Sequence, residues 1–232
     1  MAIQLWDLAG HEEERRFSPY CWRAKLSLWH KGLAFTTIPW RFTEADRIAF
    51  SGQGAVPVMQ HGDKVISNSW DIAIYLDETY PDRPSLFGSE SGRAVSAFVS
   101  DWAENTFNPS LGPLLGIDVW RHVHEKDKAY YRKSRESRVG HTLEQGAENR
   151  EQKILHVRNN VLAPLRATLS AQPFIGGHAP LFADYAVFGV FQWARCVSEL
   201  ELLAPDDPIA AWRGRVLDLF GGLPRKSPAY GT

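Results

Sequence analysis

Over the first eighty residues apolar and polar positions change places in short runs, and beyond them the period lengthens. Residues 3–8 (IQLWDL) alternate as a strand does. WRAKLSLWHK follows Ser18-Pro19, which sets a serine at the N-cap and a proline at the first helical position, and Gly32 closes that helix. FTTI (35–38) is a β-branched run that Pro39 ends, and VPVMQ and KVIS flank His61-Gly62-Asp63 as the arms of a hairpin. A second helix starts at Asn68-Ser69 and runs through WDIAIYLDETY until Pro81. The order βαβ, an irregular stretch, then ββα predicts a small α/β layer and not a full doubly wound sheet.

PDRPSLFG (81–88) reads as a linker, and nearly every later signal is helical. Val95, Phe98, Val99, Trp102 and Thr106 fall on one helix face, and Asn108-Pro109 is expected to break that helix. The dense mixed charge of 121–152 predicts solvated helix faces and loops. Ile154, Val161, Leu162, Leu165 and Leu169 mark an amphipathic helix bent at Pro164. DYAVFGVFQWARCV (184–197) is apolar almost all round at first and predicts a central, buried helix. The expected division is an α/β domain over 1–82, a linker over 83–91 and an all-helical domain over 92–232.

Composition narrows the function. The 232 residues are 44% hydrophobic and 23% charged, as in soluble globular proteins, with a surplus of aromatics. A net charge of −1 argues against general attraction to nucleic acid or an anionic membrane. Cys21 and Cys196 make no disulfide framework and no metal-type C-x-x-C, so no metal is expected. No basic-then-apolar leader opens MAIQLWDLAG, and no run of about 18 apolar residues occurs. The expectation is a cytoplasmic, reduced protein.

Chemistry concentrates in FSPYCWRAK (17–25), which would hold C-P-Y-C if Ser18 were cysteine. Ser18 caps one helix, Val56-Pro57 opens a strand and Asn68-Ser69 caps a second helix. Helix N-termini offer N–H donors and positive dipole ends suited to a thiolate and a carboxylate. A cis Val56-Pro57 bond would turn the Val56 N–H and C=O outward to pair with a peptide. Glutathione, a small acidic peptide with a central thiol, suits all three. Blander readings stand beside these. Ser-Pro is a common helix start, Cys21 an ordinary buried cysteine, His122-Val123-His124 a surface pair and Gly52-Gln53-Gly54 a loop.

SPY (18–20), Val56-Pro57 and NSWDIAIYL (68–76) resemble the thioredoxin-like half of a cytosolic glutathione transferase, and FIGGHAPLFADY (174–185) resembles that family's loop into its central helix. SPYCWRAK, YLDETYPDRP (75–84), Y-x-R-x-S-R-E (130–136), FADY with FQWA, and DDPIAAW (206–212) look like the bacterial β-aryl etherase-type branch. The resemblance implies an α/β thioredoxin-like N-terminal domain followed by an all-α helical bundle, a homodimer, and glutathione as co-substrate without a metal. It implies that Ser18 stabilises the thiolate, that Val56-Pro57 is cis, and that Val56, Pro57, Asn68 and Ser69 bind glutathione. A small hydrophobic or aromatic electrophile would lie against Trp6, Tyr20, Trp40, Trp102, Phe107, Leu111, Leu115 and Trp120. Arg41 and Arg47 are candidates for the glycine end of glutathione. Leu181 stands where the family has a Ser/Thr cap, so either Asp184 caps the helix by another bond or the cap is weaker. The alternatives are a glutathione-dependent thiol-disulfide reductase using Cys21 and a non-catalytic glutathione-binding or scaffold protein.

Overall fold

A computed structural model describes residues 2–231. Strand β1 (Ile3–Leu8) leads through helix α1 (Pro19–His30) to the parallel strand β2 (Phe35–Trp40), and the hairpin β3 (Val58–His61) and β4 (Lys64–Ser67) adds to the other side of β1. The sheet order is β2-β1-β3-β4, and α2 (Ser69–Thr79) completes the layer. Strand β2 continues through Pro39 to Trp40 instead of ending at Ile38. It lies at the sheet edge, where a residue without an N–H costs no ladder bond on the open side. A 3₁₀ turn at Ala45–Ser51 fills the irregular stretch.

The remaining chain is helical, as expected. Helix α3 (Glu90–Trp102) runs through a π turn (Ala103–Phe107) into α4 (Asn108–His122) without interruption. Asn108 is helical (φ −59°, ψ −47°), so Asn108-Pro109 does not break the helix. A proline lacks the N–H that would bond four residues back and crowds that carbonyl; the wider turn just before Pro109 absorbs both defects. The same device recurs where α7 (Arg150–His156) passes through a π turn (Val157–Val161) toward Pro164 in α8 (Ala163–Ala171). Helices α5 (Glu125–Val139) and α6 (Leu143–Gly146) lie between these two runs.

The apolar face of α3 is not uniformly covered. Val95 is 55% and Phe98 75% exposed, whereas Val99 and Trp102 are half-buried. Helix α9 (Phe182–Val197) is the buried centre that its composition predicts. It packs so closely on α1 that a Cβ on Gly189 would collide with the Pro19 carbonyl oxygen. Arg23 of α1 donates to the Ala186 carbonyl at 3.3 Å, and His30 meets the Tyr185 hydroxyl at 2.6 Å.

Leu181 has no side-chain acceptor with which to cap α9, and Asp184 does the work from inside the first turn. Its carboxylate accepts from the N–H groups of Leu181, Ile175 and Gly176 at 2.9, 2.7 and 3.0 Å. A fourth donor is the indole of Trp212 on α10 (Pro208–Leu217), at 2.8 Å. One apolar core crosses both halves of the molecule, with Leu5, Leu26 and Met59 in the same cluster as Phe107, Phe188 and Trp212. Leu86 and Phe87, between α2 and α3, are buried in it as well, and the Leu86 carbonyl accepts from Phe182 N–H at 2.8 Å. Each such large side chain contributes about 1.5–3 kcal/mol through burial, so the two halves hold each other in place.

Candidate functional site

Sheet topology brings the three sequence features to one end. The C-terminal end of β1, the N-terminal end of β3 and the C-terminal end of β4 coincide, because β3 runs antiparallel to both neighbours. Ser18 follows β1, Val56-Pro57 precedes β3 and Asn68-Ser69 follows β4. The Asn68 N–H donates to the Pro57 carbonyl at 3.2 Å, which ties the last two together. The Val56-Pro57 bond is cis, as the resemblance implied and against the base rate. Among the described residues neither the N–H nor the C=O of Val56 has a hydrogen-bond partner. Asn68 takes a positive φ of 58° and caps α2, its side-chain oxygen accepting from Asp71 N–H at 2.8 Å.

Ser18 caps α1 by accepting the Cys21 N–H at 3.2 Å. That bond occupies a lone pair and leaves the hydroxyl proton available for a donor role. The residue is buried yet lines a cavity of about 560 Å³ between the α/β layer and helices α4 and α5. This volume falls within the usual range of small-molecule sites, about 300–1,000 Å³. Cys21 points away from the cavity into the core, where burial pushes its thiol up and its Sγ lies 4.0 Å from the Trp6 carbonyl oxygen. Cys196 is buried too, its thiol pushed up to about 11.

Of the expected pocket residues, Tyr20 and Trp40 line the cavity together with Ser18 and Val56. Asn108 donates to the Tyr20 hydroxyl at 3.2 Å, and Arg23 lies 4.8 Å from the ring centroid. Burial, followed by the Glu104 carboxylate, raises the Tyr20 pKa, so this hydroxyl stays protonated. The other candidates lie elsewhere. Trp6 is packed on Phe50, while Phe107, Leu111 and Leu115 are core residues, Trp102 stacking on Phe107 at 5.8 Å. Trp120 lies under the Lys128 and Arg132 cations at 4.8 and 4.9 Å from its centroid. Asn68 and Ser69 are outside the cavity lining, beyond Val56 and Pro57.

Arg41 and Arg47 both gather at Glu44, at 3.9 and 2.8 Å. His122 meets the Tyr230 hydroxyl at 3.0 Å and His124 caps α5. No group of three His, Cys, Asp or Glu is placed to hold a metal among the described residues.

Bulky apolar residues of α4 were expected to form the pocket, but its cavity face is made of small ones. Asn108, Gly112 and Gly116 recur every four residues and, with Pro109 and Pro113, leave the volume open. A Cβ added at Gly112 would meet nothing within 4 Å. The opposite wall comes from α5 and was missed as lining: Tyr130, Tyr131, Arg135 and Arg138. Buried Asp127 latches this helix to the α/β layer, accepting from Phe42 N–H, Thr43 N–H and the Thr43 hydroxyl at 3.0, 3.2 and 2.6 Å. Phe42 is thereby held 5.5 Å from the ring of Tyr131, whose hydroxyl burial pushes up to about 12.

Known proteins carry the same organisation. Residues 17–79 match the family model described as Glutathione S-transferase, N-terminal domain, and residues 94–216 match Glutathione S-transferase, C-terminal domain. Glutathione S-transferase 1 of Dianthus caryophyllus is 30% identical over 114 residues, 47% of this chain and 50% of that protein. Glutathione S-transferase Z1 of Arabidopsis thaliana is 31% identical over 109 residues, 45% of this chain and 48% of that one. In both comparisons the chain spans about half the length of the curated relative it matches. A glutathione S-transferase of Ceriporiopsis subvermispora, crystallised in complex with glutathione, superposes with a TM-score of 0.77 at 23% identity, over 97% of this chain and 94% of that one. Since the C-terminal domain match alone covers more than half of the sequence, the chain belongs to the glutathione S-transferase family.

Proposed function

We propose that this protein is a glutathione transferase that ionises the thiol of glutathione at Ser18 and transfers it to an aromatic electrophile in the cavity between its two halves. One observation carries the reading: a capping serine whose oxygen already accepts an N–H, and whose proton is therefore available, faces a cavity beside an unpartnered Val56 backbone. The Val56 N–H and C=O suit the backbone of the bound tripeptide as a short added strand, with Asn68 and Ser69 at α2 toward its γ-glutamyl carboxylate.

A free thiol has a pKa of about 8.5, and each unit of lowering takes about 1.4 kcal/mol of preference for the charged form. A hydroxyl donating to the sulfur supplies roughly 1.5–3 kcal/mol, and the α1 N-terminus adds about 0.3–1 kcal/mol. Together these lower the pKa by about one to three units and over most of that range make thiolate the main species near pH 7. The sulfur then attacks a carbon of the electrophile. A C–S bond forms, the bond to the leaving oxygen or halide breaks, and the leaving group departs with the electron pair. In a β-aryl ether that leaving group is a phenolate, and the protonated Tyr20 hydroxyl, which lines the same cavity as Ser18, is the candidate to donate to it. Cys21, buried and with a raised pKa, is a poor attacking thiolate, which favours transfer over disulfide reduction.

We place the protein in the cytoplasm as a homodimer. Exposed Phe98 and Val95 offer apolar surface for a second copy, and two free cysteines suit a reducing compartment.

The test is the ultraviolet thiolate absorbance of the glutathione complex against pH. Ser18→Ala should raise the apparent thiol pKa by about one to two units and shift the acidic limb of kcat/KM by the same amount. A variant that titrates like the parent refutes the serine role. Cys21→Ser retaining transferase activity would separate this reading from a reductase, and mass spectrometry of products from a panel of aryl ethers identifies the electrophile.

A further inference from the structure

Of the six cations of helix α5, three are matched to carboxylates and Lys133 lies outside the cavity lining. Lys126 pairs with Glu44 at 2.6 Å, Lys128 with Glu125 at 2.7 Å, and Arg132 with Glu136 and Glu144 at 2.9 and 2.8 Å. Arg135 and Arg138 differ. Both line the cavity, and neither has a carboxylate partner among the described residues. The carboxylate that lines the same cavity, Glu104, lies 3.8 Å from Arg23 instead. The half-buried Arg135 guanidinium is held in place by rings, 4.9 Å from the centroid of Tyr131 and 5.6 Å from that of Phe42. Arg138 is exposed, three residues further along the same helix, and so sits at the mouth. Glutathione, as placed above, extends from Ser18 past Val56 toward α2, away from α5.

We propose that Arg135 and Arg138 form an anion subsite for the electrophile, so that the preferred acceptor is an aromatic compound bearing a carboxylate and not a neutral arene. The inference rests on the transferase reading and adds the substrate class. A guanidinium presents a planar fork that matches a carboxylate, and it keeps its charge throughout the accessible pH range. Stacking on Tyr131 and Phe42 orders Arg135 before any ligand arrives, which reduces the entropy lost on binding. The tyrosines and Phe42 accept the ring, and the two cations accept the acid group at its far edge.

The full-length chain is assayed with glutathione and a matched pair of electrophiles, 1-chloro-2,4-dinitrobenzene and 4-chloro-3,5-dinitrobenzoate. In both reactions sulfur replaces chloride at the ring carbon, and chloride leaves with the bonding pair. Each kcat/KM is divided by the uncatalysed rate constant, and the readout is the ratio of acid to neutral substrate. The ratio should exceed one and fall as salt rises. Arg135→Gln and Arg138→Gln should each lower it by about tenfold or more, and Arg138→Lys should restore part of it. A ratio that neither variant moves overturns the subsite while leaving transfer intact. The same holds if the KM for glutathione rises and the ratio stays put, because the cations would then serve glutathione. Absence of conjugation with both compounds overturns the transferase reading and the subsite together.

Discussion

The two ends of the cavity are built on different physical terms. At the Ser18 end the working groups are short and fixed by backbone: a hydroxyl engaged in a helix cap, the N–H and C=O of Val56, and a helix start tied to the Pro57 carbonyl. Behind them α9 presses on α1 with no room for a methyl group at Gly189. At the α5 end the wall is made of long tyrosine and arginine side chains facing a row of glycines and prolines. The first end is built as a rigid template and the second as adjustable volume, which suits the proposed division between one thiol donor and its acceptor.

Gly189→Ala tests the rigid end and carries the largest effect. The new Cβ has to displace the Pro19 carbonyl and with it the Ser18 cap. Overpacking of this kind costs about 1–3 kcal/mol, read from the urea midpoint. Displacement of the thiol-binding group should lower kcat/KM by about a hundredfold. An unchanged kcat/KM would mean that the α1–α9 contact does not set the position of Ser18.

Gly112 tests the adjustable end. Gly112→Ala should stabilise the protein by about 0.5–1 kcal/mol, since a mid-helix glycine is replaced where nothing is in contact. Gly112→Leu should raise the electrophile KM several-fold and leave the glutathione KM unmoved. If both KM values rise together, the two ends are not separate sites.

The smallest effect belongs to the joint between the halves. His30 takes up two contacts at once, Tyr185 on α9 and the Ser85 carbonyl, and burial lowers its pKa below 6.5. The folded protein therefore keeps a neutral imidazole where the unfolded chain binds a proton. The His30 share of stability should be level above about pH 7.5 and fall as the pH drops through 6.5 toward the lower folded value. His122, whose pKa burial also lowers, adds to the same slope. Denaturant midpoints of His30→Gln against the parent isolate the His30 share, which shows as a shallower decline. Equal slopes would remove His30 from the account.

This contrast also decides what was legible in the amino-acid order. Ser18-Pro19, Val56-Pro57 and Asn68-Ser69 announce themselves because caps and turns depend on residue type at one or two adjacent positions. Helix α9 was legible through its apolar density. The far wall of the cavity was not, because a cavity is specified by what is missing. Leu111 and Leu115 stand out by their bulk, but bulk fills the core, and Trp102 is packed half-buried against it. The spacing of Asn108, Gly112 and Gly116 was the available signal. Asn108-Pro109 misled for a related reason: proline marks a break only if the helix cannot widen, and here a π turn widens it. Val95 and Phe98 have helical periodicity yet face outward, since periodicity reports a shared side and not what covers that side.

The π turn between α3 and α4 has a consequence for how this segment tolerates change in length. Each residue of an α-helix turns the chain by about 100°, and the widened turn holds one residue more than regular winding would need. Wound as a regular α-helix with every residue kept, the rod would turn Asn108, Gly112 and Gly116 by about 100° off the cavity. Deleting a single position between Ala103 and Phe107 would instead remove the bulge and leave them facing it. The extra residue thus works as a rotational offset that keeps an outward apolar stripe at one end of a continuous rod and a hollow at the other.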